Sequence, residues 1–107
     1  MTKQIRLNAF AMNCVAHQSP GLWTHPRDRT KDYNKLSYWT DLAKTLERGR
    51  FDGLFLADVL GVYDVYAGNP DAALRNAAQT PANEPLMLIP AMAAVTENRS
   101  EERRVGK

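Results

Sequence analysis

The stretch that most constrains the fold of this chain is residues 50–58, Arg-Phe-Asp-Gly-Leu-Phe-Leu-Ala-Asp. Its apolar run from Leu54 to Ala57 is typical of a β-strand that is covered on both faces of a sheet. Asp58 stands directly after this run. In parallel α/β folds ligands bind where strands end, because the loops that leave the strands converge there. Asp58 is therefore a candidate site residue, and the alternative is an aspartate that opens a turn or caps a helix.

A first strand and a helix precede this run. Alternating apolar residues predict a strand over Gln4–Asn13, with burial that increases toward its C-terminal end. Apolar residues that recur every three or four positions then predict a helix over Asp32–Arg48. Gly49 follows at the position where a left-handed residue ends a helix. Strand, helix and strand make a βαβ unit, which pairs its two strands in parallel. The helix stripe consists of Leu36, Trp39, Leu42, Ala43 and Leu46.

Two further helices are predicted after the second strand. Asn69 as a cap and Pro70 at the first position predict a short alanine-rich helix that runs to about Ala78. The next helix is predicted over Pro85–Asn98. Pro90 interrupts it, so we expect either an irregular first turn or a later start.

The pattern fails after Asn98. A βαβα unit should return to an apolar strand, yet residues 99–107 contain one apolar side chain and six charges. We therefore expect a frameshift or an appended foreign sequence there, with a solvated native tail as the alternative. Residues 1–98 are predicted to form one folded unit of the α/β class.

Composition narrows the class of protein. The chain has 107 residues, 44% hydrophobic and 24% charged, as in ordinary soluble proteins. Its N-terminus has no apolar signal sequence and its single cysteine cannot form an internal disulfide, so a cytoplasmic location is predicted. Of the net charge of +2, the whole excess lies in residues 99–107, which carry four basic and two acidic side chains. We therefore expect neither a nucleic acid nor a membrane as partner.

Polar side chains follow both strands at the same edge of the predicted sheet. Asn13, Cys14 and His17 come after the first strand, and Asp58 and Tyr63 after the second. The alternatives are a buried, inert Cys14 and a His17 that is only a surface residue. Cys14 and His17 are two potential metal ligands where a structural zinc site needs four, so no metal is expected. Neither strand is followed by a glycine-rich phosphate loop.

Aromatic side chains are harder to assign. Trp39 belongs to the helix stripe and is predicted to be a core residue. Trp23 and His25 lie in the first loop, where they either line a pocket or pack down as plugs.

Six segments, in order, carry a resemblance to a known family: Leu7–Cys14, Gly21–Pro26, Tyr38–Ala43, Phe51–Asp58, Tyr63–Tyr66 and Glu84–Leu88. Together they resemble the beginning of a flavin-dependent monooxygenase of the bacterial luciferase-like superfamily. The similar subgroup comprises the nitrilotriacetate, dibenzothiophene-sulfone and long-chain alkane monooxygenases. The resemblance covers residues 1–98.

The resemblance implies a (β/α)8 TIM barrel that binds reduced FMN at the C-terminal face. It also implies O2 as co-substrate, a small organic substrate, a separate NAD(P)H-dependent flavin reductase and a homo-oligomer at full length. By this resemblance Asp58 contacts the flavin, and Cys14, His17, Tyr63 and Gln79 occupy polar positions of the substrate pocket. Because an imidazole titrates near neutral pH, we predict that His17, with Cys14 beside it, is catalytic. Family members continue past Asn98 into a third apolar strand, so a truncated, inactive N-terminal fragment is expected.

A different class of function stays open beside this one. A small α/β binding or interaction module, complete at 107 residues, would need no catalysis. Within the monooxygenase hypothesis, aminopolycarboxylates, sulfones and alkanes all remain possible substrates. The apolar residues around the strand ends favour a hydrophobic one.

Overall fold

The computed structural model describes residues 3–15, 18–19, 21–97 and 100–105, the last segment as backbone only. Three parallel strands form one sheet in the order β1-β2-β3. Helices connect the strands: α1 between β1 and β2, then α2 and α3 between β2 and β3. The bounds of these elements are β1 Asn8–Met12, α1 Leu36–Arg48, β2 Gly53–Asp58, α2 Asp71–Arg75, α3 Ile89–Ala94 and β3 Ser100–Val105.

The strand after Arg50 is confirmed, and it is the central strand of the sheet. Each β2 residue from Gly53 to Ala57 pairs with β1 on one side and β3 on the other. Leu54 and Leu56 are almost completely buried, at 1% and 0% exposure. These two side chains share one face of β2, and on the other face Ala57 is buried and Phe55 is partly buried. A continuous apolar run suits a strand in this central position.

The predicted helix stripe packs against this strand except for Leu36, which is the first residue of α1 and is 53% exposed. Trp39, Ala43 and Leu46 of α1 form one buried cluster with Leu54 and Leu56 of β2 and with Met92 of α3. The indole Nε1 of Trp39 donates a 2.7 Å hydrogen bond to the carbonyl oxygen of Tyr33, which satisfies the one polar atom of a buried ring. Trp39 is thus the core residue that the spacing predicted.

Helix α1 starts later than predicted. It begins at Leu36 instead of Asp32, because residues Thr30–Asp32 form a separate 3-10 turn. The carboxylate of Asp28 accepts a hydrogen bond from the backbone N–H of Thr30 at 2.7 Å and so fixes that turn. Strand β1 is also shorter than predicted, since pairing with β2 begins only at Asn8.

The left-handed residue that ends α1 is Arg50, and the prediction of Gly49 is wrong. Gly49 keeps a φ of −75°, and its N–H still donates to the carbonyl oxygen of Thr45 at 3.0 Å. Arg50 takes a φ of 57°. Its N–H donates to the oxygen of Glu47, and the N–H of Phe51 donates to that of Leu46, both at 3.0 Å. These two bonds are a Schellman motif placed one residue beyond the glycine.

Helix α2 is shorter than predicted and starts one residue later, at Asp71, so that Pro70 and not Asn69 is its N-cap. The side-chain Oδ1 of Asn69, one position before the cap, accepts a hydrogen bond from the backbone N–H of Asp71 at 3.1 Å and so fixes the turn that leads into the helix. The helix ends at Arg75 instead of about Ala78. The reason is local, because Ala77 adopts a φ of 49° and turns the chain out of the helix.

The region around Pro90 has the irregular first turn that was expected. A 3-10 turn over Leu86–Leu88 leads into α3, which starts at Ile89 with Pro90 in its first turn. Proline is tolerated there because the first N–H groups of a helix need no intrahelical acceptor. The helix ends at Ala94, four residues before the predicted end at Asn98, which lies outside the described residues.

A third strand is present where the sequence pattern predicted none. The backbone of Ser100–Val105 pairs in parallel with β2, in register from Gly53 opposite Ser100 to Asp58 opposite Val105. Backbone pairing requires no particular side chain, so a charged segment can satisfy the open edge of an apolar strand. The foreign or frameshifted origin of residues 99–107 stays a prediction.

Candidate active site

Two buried polar residues occupy neighbouring positions where β1 and β2 end. Met12 pairs with Ala57 in the parallel register, so Asn13 and Asp58 are the next positions along the two strands. Asn13 is 3% exposed and Asp58 is 8% exposed. Among the residues whose side chains the structure describes, these are the buried polar or charged ones. Burying polar groups is costly, so their pairing at the strand ends marks a candidate site.

Asn13 has an acceptor that its surroundings leave unsatisfied. Its Nδ2 donates to the carbonyl oxygen of Glu84 at 3.3 Å, and its own carbonyl oxygen accepts from the N–H of Asn83 at 2.8 Å. No hydrogen bond within the described residues reaches its Oδ1. An unsatisfied buried acceptor costs about 1–3 kcal/mol, which a ligand N–H would recover. The sequence predicted a polar cluster after β1 that included Asn13. Only the structure shows that Asn13 is the member of this cluster with an unsatisfied buried acceptor.

Cys14 is buried beside this pair. It is 2% exposed and packs with Met12 and Ala57. Burial raises the pKa of its thiol from 9.0 to about 11, so the sulfur is protonated near neutral pH. A protonated, enclosed thiol is a poor nucleophile. The structure therefore favours Cys14 as part of the apolar wall of the site.

The two predicted pocket residues after β2 contact each other. The hydroxyl of Tyr63 donates a 3.0 Å hydrogen bond to the Oε1 of Gln79. Both side chains line a cavity of about 380 Å³ at the strand ends, which we call the strand-end cavity. The two residues are sixteen positions apart in the sequence, so only the folded connection brings them together. The other lining residues are Phe10, Met12, Gln18, Ala57, Val59, Gly61 and Val62.

Three other candidate residues, His17, Trp23 and His25, were predicted in the loop after β1. The prediction for His17 falls outside the described residues. Trp23 is half-buried, and its Nε1 donates to the carbonyl oxygen of Asn76 at 3.0 Å, which ties the first loop to the end of α2. His25 is exposed, and its Nδ1 accepts from the N–H of Arg27 at 3.1 Å. Trp23 is thus a packing residue of the loop and His25 a surface residue.

In the part of the chain that the structure describes, no group of three or more His, Cys, Asp or Glu residues could hold a metal ion. None of the helices in this part is both long and apolar enough to cross a membrane.

The strands are parallel and joined by helices, and buried polar residues follow β1 and β2. This arrangement is typical of α/β proteins, a class that binds ligands where the strands end. The chain is 58% identical to the long-chain alkane monooxygenase of Geobacillus thermodenitrificans over 98 residues, 92% of this chain and 22% of that protein. It is 59% identical to the dimethyl-sulfide monooxygenase of Hyphomicrobium sulfonivorans, over 92% of this chain and 20% of that protein. No protein-family model matches the chain.

Solved structures show the same relationship. The crystal structure of long-chain alkane monooxygenase (LadA) superposes with a TM-score of 0.90 at 55% identity, covering 96% of this chain and 24% of that one. A riboflavin lyase (RcaE), solved with modified FMN and riboflavin, superposes with a TM-score of 0.80 at 27% identity, covering 94% of this chain and 23% of that one. The chain therefore belongs to the luciferase-like monooxygenase family, and the predicted partial barrel is confirmed. It spans about a fifth of the length of the curated relatives.

Proposed function

We propose that a full-length protein carrying this segment is a monooxygenase that uses reduced FMN and O2 to oxygenate a small organic substrate. The observation that carries the proposal is the buried pair of Asn13 and Asp58 at the ends of neighbouring strands. The relatives support it, because those named above are monooxygenases and a similar fold in RcaE was solved with modified FMN. When bound, reduced FMN supplies the electrons that the activation of O2 requires.

The residues of this segment fit one edge of a flavin ring. A flavin carries N–H donors along its polar edge, and the unsatisfied Oδ1 of Asn13 is an acceptor for such a donor. The carboxylate of Asp58 is a second buried acceptor at the same sheet edge. Met12 and Ala57 precede the pair and are buried, so they exclude water from that side of the ring.

Roles for the other candidate residues belong to the same proposal. His17 holds or donates a proton near the oxygenated atom, because an imidazole titrates near neutral pH. Cys14 contributes to the apolar wall of the site, next to Met12 and Ala57. Tyr63 and Gln79 contact the substrate in the strand-end cavity, whose largely apolar lining favours a hydrophobic substrate. A separate NAD(P)H-dependent reductase supplies the reduced flavin, and the full-length protein forms a homo-oligomer in a cytoplasmic setting.

The role of Asp58 can be tested by titrating a full-length protein with reduced FMN under anaerobic conditions. A charge-assisted hydrogen bond contributes about 1.5–3 kcal/mol, so Asp58→Ala should weaken binding by about ten- to a hundredfold. Asp64→Ala is the matched control, because Asp64 is an exposed carboxylate in the same connection. Equal affinity of Asp58→Ala and the control would rule out the role of Asp58. Absence of any oxygenated product from the unmodified protein with FMN, O2 and the relatives' substrates would count against the function itself.

His17 has its own test and an internal control. His17→Ala should lower the yield of oxygenated product per reduced flavin consumed, because electrons then leave as hydrogen peroxide. His25→Ala should leave the yield unchanged, since His25 is an exposed histidine of the same loop. Equal yields from both variants would show that His17 is a structural loop residue.

A further inference from the structure

A second cavity adjoins the strand-end cavity, and Tyr63 is the lining residue that the two share. This second space has a volume of about 700 Å³, and we call it the α2 cavity. Its walls are mostly apolar, and it lies against α2 and the connection that leaves β2. The residues that line it are Gly21, Tyr63, Val65, Tyr66, Asn69, Ala72, Ala73, Asn76 and Ala78.

The hydrogen-bonded pair of Tyr63 and Gln79 lies where the two cavities meet, because Tyr63 lines both cavities and Gln79 lines the strand-end cavity. Neighbouring residues of the chain face different cavities, since Ala78 lines the α2 cavity and Gln79 lines the strand-end cavity. Gln79 adopts a φ of 59°, a left-handed conformation that disfavours a residue with a side chain. Strained residues of this kind persist where the surrounding structure holds them, and they concentrate at functional sites.

We propose that the Tyr63–Gln79 pair is a partition that sets the chain length of the substrates this site accepts. Small substrates occupy the strand-end cavity with the partition closed. A substrate with a longer apolar chain opens the partition and extends its chain into the α2 cavity. The inference rests on the proposed function, because it assumes that oxygenation takes place at the strand ends.

The energies favour opening by an apolar chain. The Tyr63–Gln79 hydrogen bond is exposed to solvent. A substrate that has to break such a bond binds about two- to tenfold more weakly. A methylene group that is transferred completely from water into an apolar site contributes roughly a fourfold gain in affinity. The gain per methylene is smaller in the α2 cavity, because two of its lining residues, Val65 and Tyr66, are 86% and 78% exposed. A chain that places several methylene groups there therefore outweighs the loss, whereas dimethyl sulfide has no methylene group.

The test uses a full-length protein and a series of methyl alkyl sulfides, from dimethyl sulfide to methyl dodecyl sulfide. Tyr63→Phe keeps the ring and removes the hydroxyl that closes the partition. It should raise the ratio of kcat/KM for the long sulfides to that for the short ones by about two- to tenfold. Ala73→Leu fills part of the α2 cavity and should lower the same ratio by at least about fourfold, the factor for one methylene group transferred completely.

A second readout separates this inference from the proposed function. Equilibrium binding of the same sulfides without O2 requires no turnover, and the two variants should shift the long-to-short ratio of affinities in opposite directions. That result without any oxygenation would retain the partition and overturn the monooxygenase proposal. Oxygenation with ratios unchanged in both variants would overturn the partition.

Discussion

The carbonyl oxygen of Leu46 accepts a hydrogen bond from the backbone N–H of Phe51 at 3.0 Å, across the end of α1. Phe51 also packs against the core cluster that contains Leu46. This backbone hydrogen bond and the hydrophobic contact of Phe51 are two features of a Schellman motif. They set the direction in which the chain enters β2, the strand that carries Asp58. The motif places Arg50 in the left-handed region, with an exposed side chain.

Replacing Arg50 by glycine should therefore stabilise the protein. Glycine adopts a positive φ without steric cost, so Arg50→Gly should raise the free energy of unfolding by about 1 kcal/mol. The matched control is Arg48→Gly in the last turn of α1, which should lower it by about the same amount. Urea denaturation of a full-length protein measures both changes. A neutral or destabilising Arg50→Gly would contradict the left-handed assignment.

Asn13 offers a test of the flavin site that separates binding from stability. Asn13→Leu removes the unsatisfied acceptor together with the long hydrogen bond to Glu84, so the stability of the flavin-free protein should change by less than about 1 kcal/mol. Affinity for reduced FMN should fall by about two- to tenfold, the factor for one neutral hydrogen bond. Fluorescence titration and thermal melting measure the two effects.

The control for Asn13 is Asn83→Ala. Asn83 contacts Asn13 through its backbone N–H, so the substitution keeps that hydrogen bond. It should change neither flavin affinity nor stability appreciably. A loss of stability in Asn13→Leu with unchanged affinity would show that Asn13 only ties β1 to the residues before α3.

The thiol of Cys14 should react slowly with alkylating reagents, and it should make the stability of the protein fall at alkaline pH. A pKa raised from 9.0 to about 11 lowers the thiolate fraction at pH 8 by about a hundredfold, so alkylation by iodoacetamide should slow accordingly. The folded state retains the proton more strongly than the unfolded state. This contribution to stability is therefore complete below pH 9 and is lost as the pH rises toward 11.

Mass spectrometry measures the alkylation rate, and thermal melting as a function of pH measures the stability. Cys14→Ala should remove the part of the alkaline loss that belongs to the thiol. If Cys14 in the native protein is alkylated as fast as a cysteine in a free peptide, the thiol is not buried. That result would support a reactive Cys14.

The isolated 107-residue chain should not fold cooperatively. Large apolar side chains in the connection after β2 are exposed, with Leu60 at 89%, Val65 at 86% and Tyr66 at 78%. The main buried cluster holds six residues, and ordering the backbone costs about 1–2 kcal/mol per residue. We expect aggregation or a molten state, without flavin binding, in circular dichroism and gel filtration. A sharp melting transition of a soluble monomer with dispersed amide NMR signals would contradict this and favour a small binding module.

The amino-acid sequence by itself determined the features that depend on local patterns. A continuous apolar run placed the central strand, spacings of three and four placed Trp39 and Leu46 in the core, and Asp58 at the end of the run marked the site. The six ordered segments were specific enough to predict the family. These signals are readable because periodic burial imposes the same pattern on any chain that adopts such elements.

Tertiary structure decided what depends on distant residues. The bond from Tyr63 to Gln79 and the unsatisfied Oδ1 of Asn13 exist only because separate connections meet at the strand ends. The charged segment Ser100–Val105 forms a strand because β2 offers it an edge, which no local pattern encodes. Arg50 takes the left-handed position that its neighbour Gly49 suits better, since the contact of Phe51 with the core selects the end of α1. At Arg50 a contact made across the fold thus outweighs a local preference worth about 1 kcal/mol.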